Sequence, residues 1–392
     1  AVHMHAPHTY TREEVVELHC HGSHLVLQEV LRHVLALGAR PAEQGEFTKR
    51  AFLAGRIDLT RAEAVMDLLQ AQTTRSARLA VNQLQGLLAD MLAAIREELV
   101  TLLALLEVAI DFPEDDVEIF PAGEAAVRLR EGVVGPLERL IAMSKQGRIV
   151  REGVKAVIAG RPNVGKSSLL NALLQEERAL VTPLPGTTRD TIEEAISIRG
   201  IPVQLVDTAA IRARGDPLEA MGIGRARQKC READLLLFVI DARAGLTDAD
   251  RELYALISDR PHVVVVNKRE LIAEEKWATF AAAFPEQPVV AVSARERLGL
   301  ESLEEAVCRL VLGDGSGLAE QMTCAPNVRH RAVLEKALAA CHRFAEALAA
   351  GAPVDLLAVE VQSALDELAD LVGLTTPEDV LDAIFSRFCI GK

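Results

Sequence analysis

The sequence predicts a multidomain chain in which a mostly parallel α/β domain is inserted into an all-α helical domain, with a partial α+β domain in front. Three observations predict it. Between residues 154 and 312, β-rich runs (Val154–Ala159, Val203–Val206, Leu235–Ile240, Val263–Val266, Val289–Val292) alternate with helical stretches, as in a parallel sheet covered on both faces. On either side, apolar residues recur at helical spacing. Gly313-Asp314-Gly315-Ser316-Gly317 marks a flexible boundary after which helices resume. The expected divisions are residues 1–55, 56–150, 151–314 and 315–392, the second and last forming one helical domain. A segment as short as the first is below the size at which a core closes comfortably on its own.

Taken in order, Val15-Val16-Glu17-Leu18-His19 reads as a strand, and Ser23 starts a helix that runs to Leu37 and stops at Gly38. Thr60-Arg61-Ala62-Glu63 reads as a capping box opening a second helix. From Thr73 to Ile110, apolar positions such as Leu84, Leu88, Leu92, Ile95, Leu99, Leu102 and Leu106 keep helical period, with a break expected near Gly86. Pro113-Glu114-Asp115-Asp116 interrupts that pattern, and another helix covers Gly123 to Gly147. Pro377, after Thr376, marks the start of the last helix.

Composition narrows the function classes. The 392 residues are 49% apolar and 26% charged, as expected of globular domains, and the formal net charge is -14. No apolar run is long enough to span a bilayer and no secretory leader is legible, so a cytoplasmic protein without membrane partners is expected. Six cysteines without a C-x-x-C pair argue against a disulfide framework. The acidity is uneven: residues 151–314 carry 22 basic and 25 acidic groups, whereas residues 344–386 carry nine acidic groups and no Lys or Arg. Such a chain should not wrap nucleic acid unaided. Seven of the ten histidines precede residue 34; alternation would place His19 and His21 on one strand face, but surface or core packing is the expected role.

The chemistry-bearing motif is Gly160-Arg161-Pro162-Asn163-Val164-Gly165-Lys166-Ser167, a G-x-x-x-x-G-K-[ST] phosphate loop between an expected strand and the helix Ser168–Leu174. Its glycines let backbone amides approach phosphate oxygens, Lys166 adds charge between β- and γ-phosphates, and the Ser167 hydroxyl suits Mg²⁺. Asp207 ends the strand Val203–Val206, where a carboxylate can hold the Mg²⁺ water shell; Thr208, Ala209 and Ala210 follow as the γ-phosphate sensor. Asn267-Lys268-Arg269-Glu270 and Ser293-Ala294-Arg295 end two further strands, the order found in guanine-specific GTPases. Glu270 stands where those enzymes carry Asp, adding a methylene between backbone and carboxylate. Ile211 stands where Ras-like enzymes hold a water-orienting Gln, so Glu219 is the expected replacement.

With these motifs the chain resembles the MnmE (TrmE) family of tRNA modification GTPases. The resemblance spans nearly the whole length. It rests on Glu17-Leu18-His19-Cys20-His21-Gly22, on Gly45-Glu46-Phe47-Thr48-Lys49-Arg50-Ala51-Phe52, on Gly160–Ser168, on Pro185-Gly186-Thr187-Thr188-Arg189-Asp190 and on Phe388-Cys389-Ile390-Gly391-Lys392. It implies a folate-binding, dimerising N-terminal domain, of which a first β-rich segment is absent from this chain. It also implies a partner, the flavoprotein MnmG with its FAD, and addition of an aminomethyl or carboxymethylaminomethyl group to C5 of the wobble uridine of certain tRNAs. The one-carbon source would be 5,10-methylene-tetrahydrofolate, a tetrahydrofolate derivative. By motif, GTP would be held by Asn163, Val164, Gly165, Lys166, Ser167, Ser168, Thr182, Thr187, Thr188, Asp207, Thr208, Ala209, Ala210, Asn267, Lys268, Glu270, Ser293, Ala294 and Arg295. Mg²⁺ would fall to Ser167, Thr188 and Asp207. K⁺ would fall to Asn163, Thr182, Leu184 and Thr187. Glu219 would orient the hydrolytic water, Cys389 would act as a catalytic thiol, and Glu17, Arg56 and Lys392 would contact folate. Two alternatives stand beside this reading: an Era-like GTPase switch in RNA or ribosome assembly, and a truncated scaffold.

Overall fold

The computed structural model describes residues 1–112, 121–176, 193–207, 230–273, 276–313 and 322–391. The chain divides into two units, one of residues 1–70, 80–144 and 326–392, the other of residues 71–79 and 145–325.

In the first unit, β1 (Val2–Met4) pairs antiparallel with β2 (Val15–Glu17). The strand stops at Glu17, so His19 and His21 lie beyond it. Helix α1 (His24–Ala36) starts after Ser23 and ends at Leu37, and none of its residues is buried. Then come α2 (Glu46–Leu53) and α3 (Leu59–Leu69). The cap of α3 is Asp58, whose carboxylate accepts from the Arg61 amide, and Thr60 donates its hydroxyl to the same oxygen from inside the first turn. The capping box expected at Thr60 is not formed: the N-cap stands two residues earlier, at Asp58, and Glu63 is drawn elsewhere. Gly86, at φ 105°, separates α4 (Thr74–Gln85) from α5 (Leu87–Asp111), as the spacing predicts.

The helical stretch expected at 123–147 is longer. It comprises α6 (Ala122–Arg128), a π-helical turn (Leu129–Val134) and α7 (Gly135–Glu152). Leu129 and Val133 of the π turn are buried.

Among the described residues the second unit carries a six-stranded sheet of order β4-β5-β3-β6-β7-β8. Its strands are β3 (Val154–Ala159), β4 (Glu193–Ile198), β5 (Ile201–Asp207), β6 (Leu235–Asp241), β7 (His262–Asn267) and β8 (Val289–Ala291). All neighbours run parallel except β4, which returns antiparallel along β5. Every residue of β7 and all but the last of β6 are buried, as two covered faces require. Helix α8 (Lys166–Glu176) supplies Leu169 and Leu173 to one face, joined by α11 (Leu300–Leu312) with Leu303 and Val307. The opposite face packs Phe238, Ile240 and Val264 beneath α9 (Asp248–Ala255) and α10 (Trp277–Ala283), through Tyr254 and Phe280.

The chain then returns to the first unit with α12 (Val328–Ala349), α13 (Val354–Val372) and α14 (Glu378–Phe385). Helix α13 packs against both α5 and α12. Leu92, Ile95, Leu99, Leu102 and Leu106 on α5 are all but fully buried, at the spacing the sequence predicts. Pro377 is the cap of α14 rather than its first residue. The unit's signature polar feature is Glu63. It accepts from Arg329 Nε and Nη2 (3.0 and 2.8 Å) and from Asn327 Nδ2 (3.0 Å), and lies 2.5 Å from His330 Nε2. The Asn327 amide donates to His330 Nδ1 at 3.1 Å, which leaves Nε2 as the nitrogen bearing hydrogen toward Glu63. Burial pushes the Glu63 carboxyl up, but His330 and Arg329 outweigh it and hold it well below the usual carboxylate range.

Among the described residues no helix is long and apolar enough to cross a membrane.

Candidate nucleotide site

Parallel strands deliver their loops to the carboxyl edge of a sheet, where ligands of open α/β folds bind. β3 runs into Gly160, β6 ends at Asp241, β7 ends at Asn267, and β8 leads to Ser293. Adjacency of β3, β6, β7 and β8 therefore brings motifs about a hundred residues apart onto one edge, an effect of parallel register rather than local sequence.

The phosphate loop is shaped by close approach. A Cβ on Gly160 (φ 153°) would stand 2.4 Å from the Val239 carbonyl, and one on Gly165 (φ 98°) 2.2 Å from Asn267 Nδ2. Asn163 takes a left-handed φ of 66°. Lys166 begins α8 and folds its ammonium back over the loop, donating to the carbonyls of Gly160 (2.9 Å) and Arg161 (2.7 Å). Ser167 and Ser168 are exposed in the first turn. A rim of amides with a lysine across it is a receptor for polyphosphate.

Asn267 is the hinge of the arrangement. It is 2% exposed. Its Nδ2 donates to the Val164 carbonyl (2.9 Å) while its Oδ1 accepts from the Ala294 amide (3.0 Å). One carboxamide thus locks the phosphate loop to the loop after β8. Lys268, at φ 65°, spans the same gap, donating to the Asn163 carbonyl (3.0 Å) and to Asp241 (2.6 Å). Burial pushes the Asp241 carboxyl up, but Lys268 and backbone donors prevail and hold it below the usual range. Ser293 is fully buried, and its hydroxyl accepts from the Glu296 amide, tightening the turn that presents Ala294 and Arg295. Glu270 is exposed on a short 3-10 turn, Arg269–Leu271.

The structure thus brings together Asn163, Val164, Gly165, Lys166, Asn267, Lys268 and Ala294. Asp207 closes β5, the strand next to β3. Thr182, Leu184, Thr187, Thr188, Thr208, Ala209, Ala210, Glu219 and Lys392 lie outside the described residues, as does Ile211. Two contacts escaped the sequence reading. Asp241 is the partner of Lys268, signalled only by its position at the end of β6. Arg161, inside the phosphate loop, donates from Nε to Asp250 at 2.6 Å, and Asp250 is fully buried. The other Asp250 oxygen accepts from the amide and hydroxyl of Thr247, capping α9.

At the C-terminal end of the first unit, Phe388 is buried against Phe385 and its neighbours Leu59 and Ala62. The Gly45 amide donates to the Cys389 carbonyl (3.4 Å), and Gln44 bridges to Ile390. Cys389 is exposed, as are Glu17 and Arg56, and Glu17 ion-pairs with His19 at 3.0 Å. By contrast, burial pushes the thiols of Cys324 and Cys341 up to about 11 and about 12, which makes them inert.

Comparison with known proteins identifies the family. The family model for the MnmE helical domain matches residues 59–389, and the model for the GTP-binding protein TrmE N-terminus matches residues 1–56. The tRNA modification GTPase MnmE of Desulfotalea psychrophila is 50% identical over 397 residues, covering 100% of this chain and 84% of its own. The chain belongs to the MnmE family of tRNA modification GTPases. Another member, from Geobacillus kaustophilus, is 45% identical over 397 residues, covering 99% of this chain and 84% of its own. Among solved structures, Era from Aquifex aeolicus, bound to GDP and aluminium fluoride, is 30% identical over 39% of this chain and 55% of its own, with a TM-score of 0.32. Family membership makes the chain a GTPase, with a P-loop α/β domain inserted between two halves of the helical domain.

Proposed function

We propose that the chain hydrolyses GTP to drive modification of the wobble uridine of certain tRNAs, adding an aminomethyl or carboxymethylaminomethyl group at C5 together with the flavoprotein MnmG. In this reading, residues 151–314 are the GTPase, residues 56–150 and 315–392 the helical domain, and residues 1–55 the folate-binding and dimerising part. The observation that carries it is the double hydrogen bond of Asn267, which couples the phosphate loop to the loop after β8 and so makes phosphate and base recognition one rigid event.

Each residue has a physical task. Lys166 and the amides of residues 163–168 bind the β- and γ-phosphates, and the close approaches at Gly160 and Gly165 leave the cradle open for them. Ser167, with Thr188 and Asp207, would hold Mg²⁺; Ser167 lies exposed in the first turn of α8 beside Lys166, which fits that task. Mg²⁺ when bound neutralises charge on the phosphate oxygens. Asn163, exposed and left-handed, would join Thr182, Leu184 and Thr187 around K⁺, which supplies positive charge where other GTPases use an arginine finger. Thr208, Ala209 and Ala210 would face the γ-phosphate, and Glu219 would orient the attacking water. Lys268 and the loop Ser293-Ala294-Arg295 flank the base, with Glu270 accepting from its edge. In the tRNA reaction Cys389 would serve as the thiol, and Glu17, Arg56 and Lys392 would contact the tetrahydrofolate derivative. The acidic residues of 344–386, among them the exposed Asp355, Asp366, Glu378 and Asp379, would repel bare tRNA and leave its capture to a basic partner.

Two measurements test the reading. GTP hydrolysis should run in KCl and fall sharply in NaCl; equal rates would remove the potassium role. Transfer RNA from cells lacking the chain should lose the modified wobble uridine by mass spectrometry, and unchanged tRNA would overturn the proposal.

A further inference from the structure

The histidines crowded before residue 34 are sorted by the fold. His3 lies in β1 and His5 just past its end, and β1 pairs with β2 in the register Val2↔Glu17, His3↔Val16, Met4↔Val15. One further step sets His5 opposite Glu14. Residues two apart on a strand share a face, and directly opposed residues share it too, so His3, His5 and Glu14 belong to one face. The distances agree. Glu14 Oε2 lies 2.7 Å from His3 Nε2 and 3.2 Å from His5 Nδ1, and the two rings stand 4.2 Å apart. The Ala6 amide holds the other carboxylate oxygen at 3.3 Å, which leaves Oε2 for the imidazoles. The three ligand atoms lie within 4.8 Å of one another, and no other group of three among the described residues does so.

We propose that His3, His5 and Glu14 form a binding site for a late first-row divalent cation, zinc in the first instance, with a further position open to water. Zinc bonds of about 2.0–2.1 Å in tetrahedral geometry place ligand atoms about 3.3 Å apart, close to the separations already present. Two imidazoles and one carboxylate suit Zn²⁺, Ni²⁺ and Cu²⁺, whereas Mg²⁺ and Ca²⁺ prefer all-oxygen shells. All three side chains are exposed, so the ion enters without opening the fold. Once bound, it would clip β1 to the residue before β2, reinforcing a two-stranded sheet of a kind that is marginal alone. His19 offers an internal control, because it faces Glu17 at 3.0 Å with no third ligand in such a group.

The test is equilibrium dialysis of the tag-free full chain against micromolar Zn²⁺, with bound metal counted by elemental mass spectrometry. One equivalent of zinc is expected, lost in His3→Ala and in His5→Ala, weakened in Glu14→Gln, whose side-chain oxygen is neutral and a poorer ligand, and retained in His19→Ala. Mg²⁺ in tenfold excess should not displace it. Because the side chains are exposed, the variants should keep the wild-type circular dichroism spectrum, which separates loss of ligand from loss of fold. Zinc binding that survives the double His3→Ala, His5→Ala replacement, or a wild-type chain that takes up no zinc, overturns the assignment.

Discussion

Asn267 and Glu63 are both polar side chains withdrawn from water, the first 2% exposed and the second with 10% of its side chain exposed, yet they do opposite work. Asn267 is neutral and spends its two ends on backbone groups of two loops, so it connects parts of a binding edge. Glu63 is charged and is met by Arg329, His330 and Asn327, so its network joins the two sequence halves of the helical unit. The difference teaches that loss of Asn267 should uncouple loops within an intact fold. Loss of Glu63 should strand buried charge within an intact site.

The largest expected effect follows from removing the Glu63 charge. Glu63→Gln should destabilise the helical unit by about 3–5 kcal/mol, because Arg329 keeps its charge with no carboxylate to meet it. Denaturant unfolding should show the loss while GTP affinity stays at the wild-type value; a parallel fall in affinity would erase the distinction. Acid should act in the same sense. The Glu63 carboxyl titrates below its ordinary 4.5 in the folded chain, so the network is complete above that pH and its stabilisation is lost as pH falls through the lower folded value. Circular dichroism melts from pH 6 downward should show the helical signal weakening in wild type and flat in Glu63→Gln.

Asn267→Ala should do the reverse. It should weaken GTP binding by about 10–100-fold, equivalent to about 1.4–2.8 kcal/mol, with unfolding little changed; fluorescence titration with a labelled nucleotide measures it. Asp250→Asn is the gentler version, since the amide oxygen can still accept from Thr247 while the charge facing Arg161 is gone. A severalfold rise in Kd is expected, with the cap of α9 retained. Smallest of all, Glu270→Asp should sharpen the preference for GTP over ATP by removing one methylene, read as a ratio of affinities.

The same contrast explains what was legible. The nucleotide edge is written in short motifs, because each loop follows its own strand within a few residues, and β3 stands where the β-rich run Val154–Ala159 predicts it. Strand β5 covers the expected run Val203–Val206, but β4 and the turn that joins it to β5 are not signalled. The strand Glu193–Ile198 starts polar at the sheet's outer side, and the turn uses Arg199 (φ 48°) before Gly200 (φ 80°) in place of the usual Asn-Gly signal. The cap of α3 was misplaced because Asp58 outcompetes Thr60, and nothing local shows that Glu63 is claimed by residues more than 260 positions away. Arg161–Asp250 was invisible for a similar reason, being a pairing between the phosphate loop and the first turn of α9, 89 residues apart.

That distance has a bearing on how the protein is made. Glu63 and Arg329 are separated by 266 residues, with the whole nucleotide-binding sheet translated in between. At about 5–20 residues per second, the ribosome delivers Arg329 roughly 13–53 seconds after Glu63. During that interval the strands of the sheet and the helices α8 to α11 packed on them are all translated, while the leucine face of α5 waits for α13. The first half of the helical unit is therefore the part of the nascent chain with apolar surface to shield, and the stretch on which a holding chaperone would act.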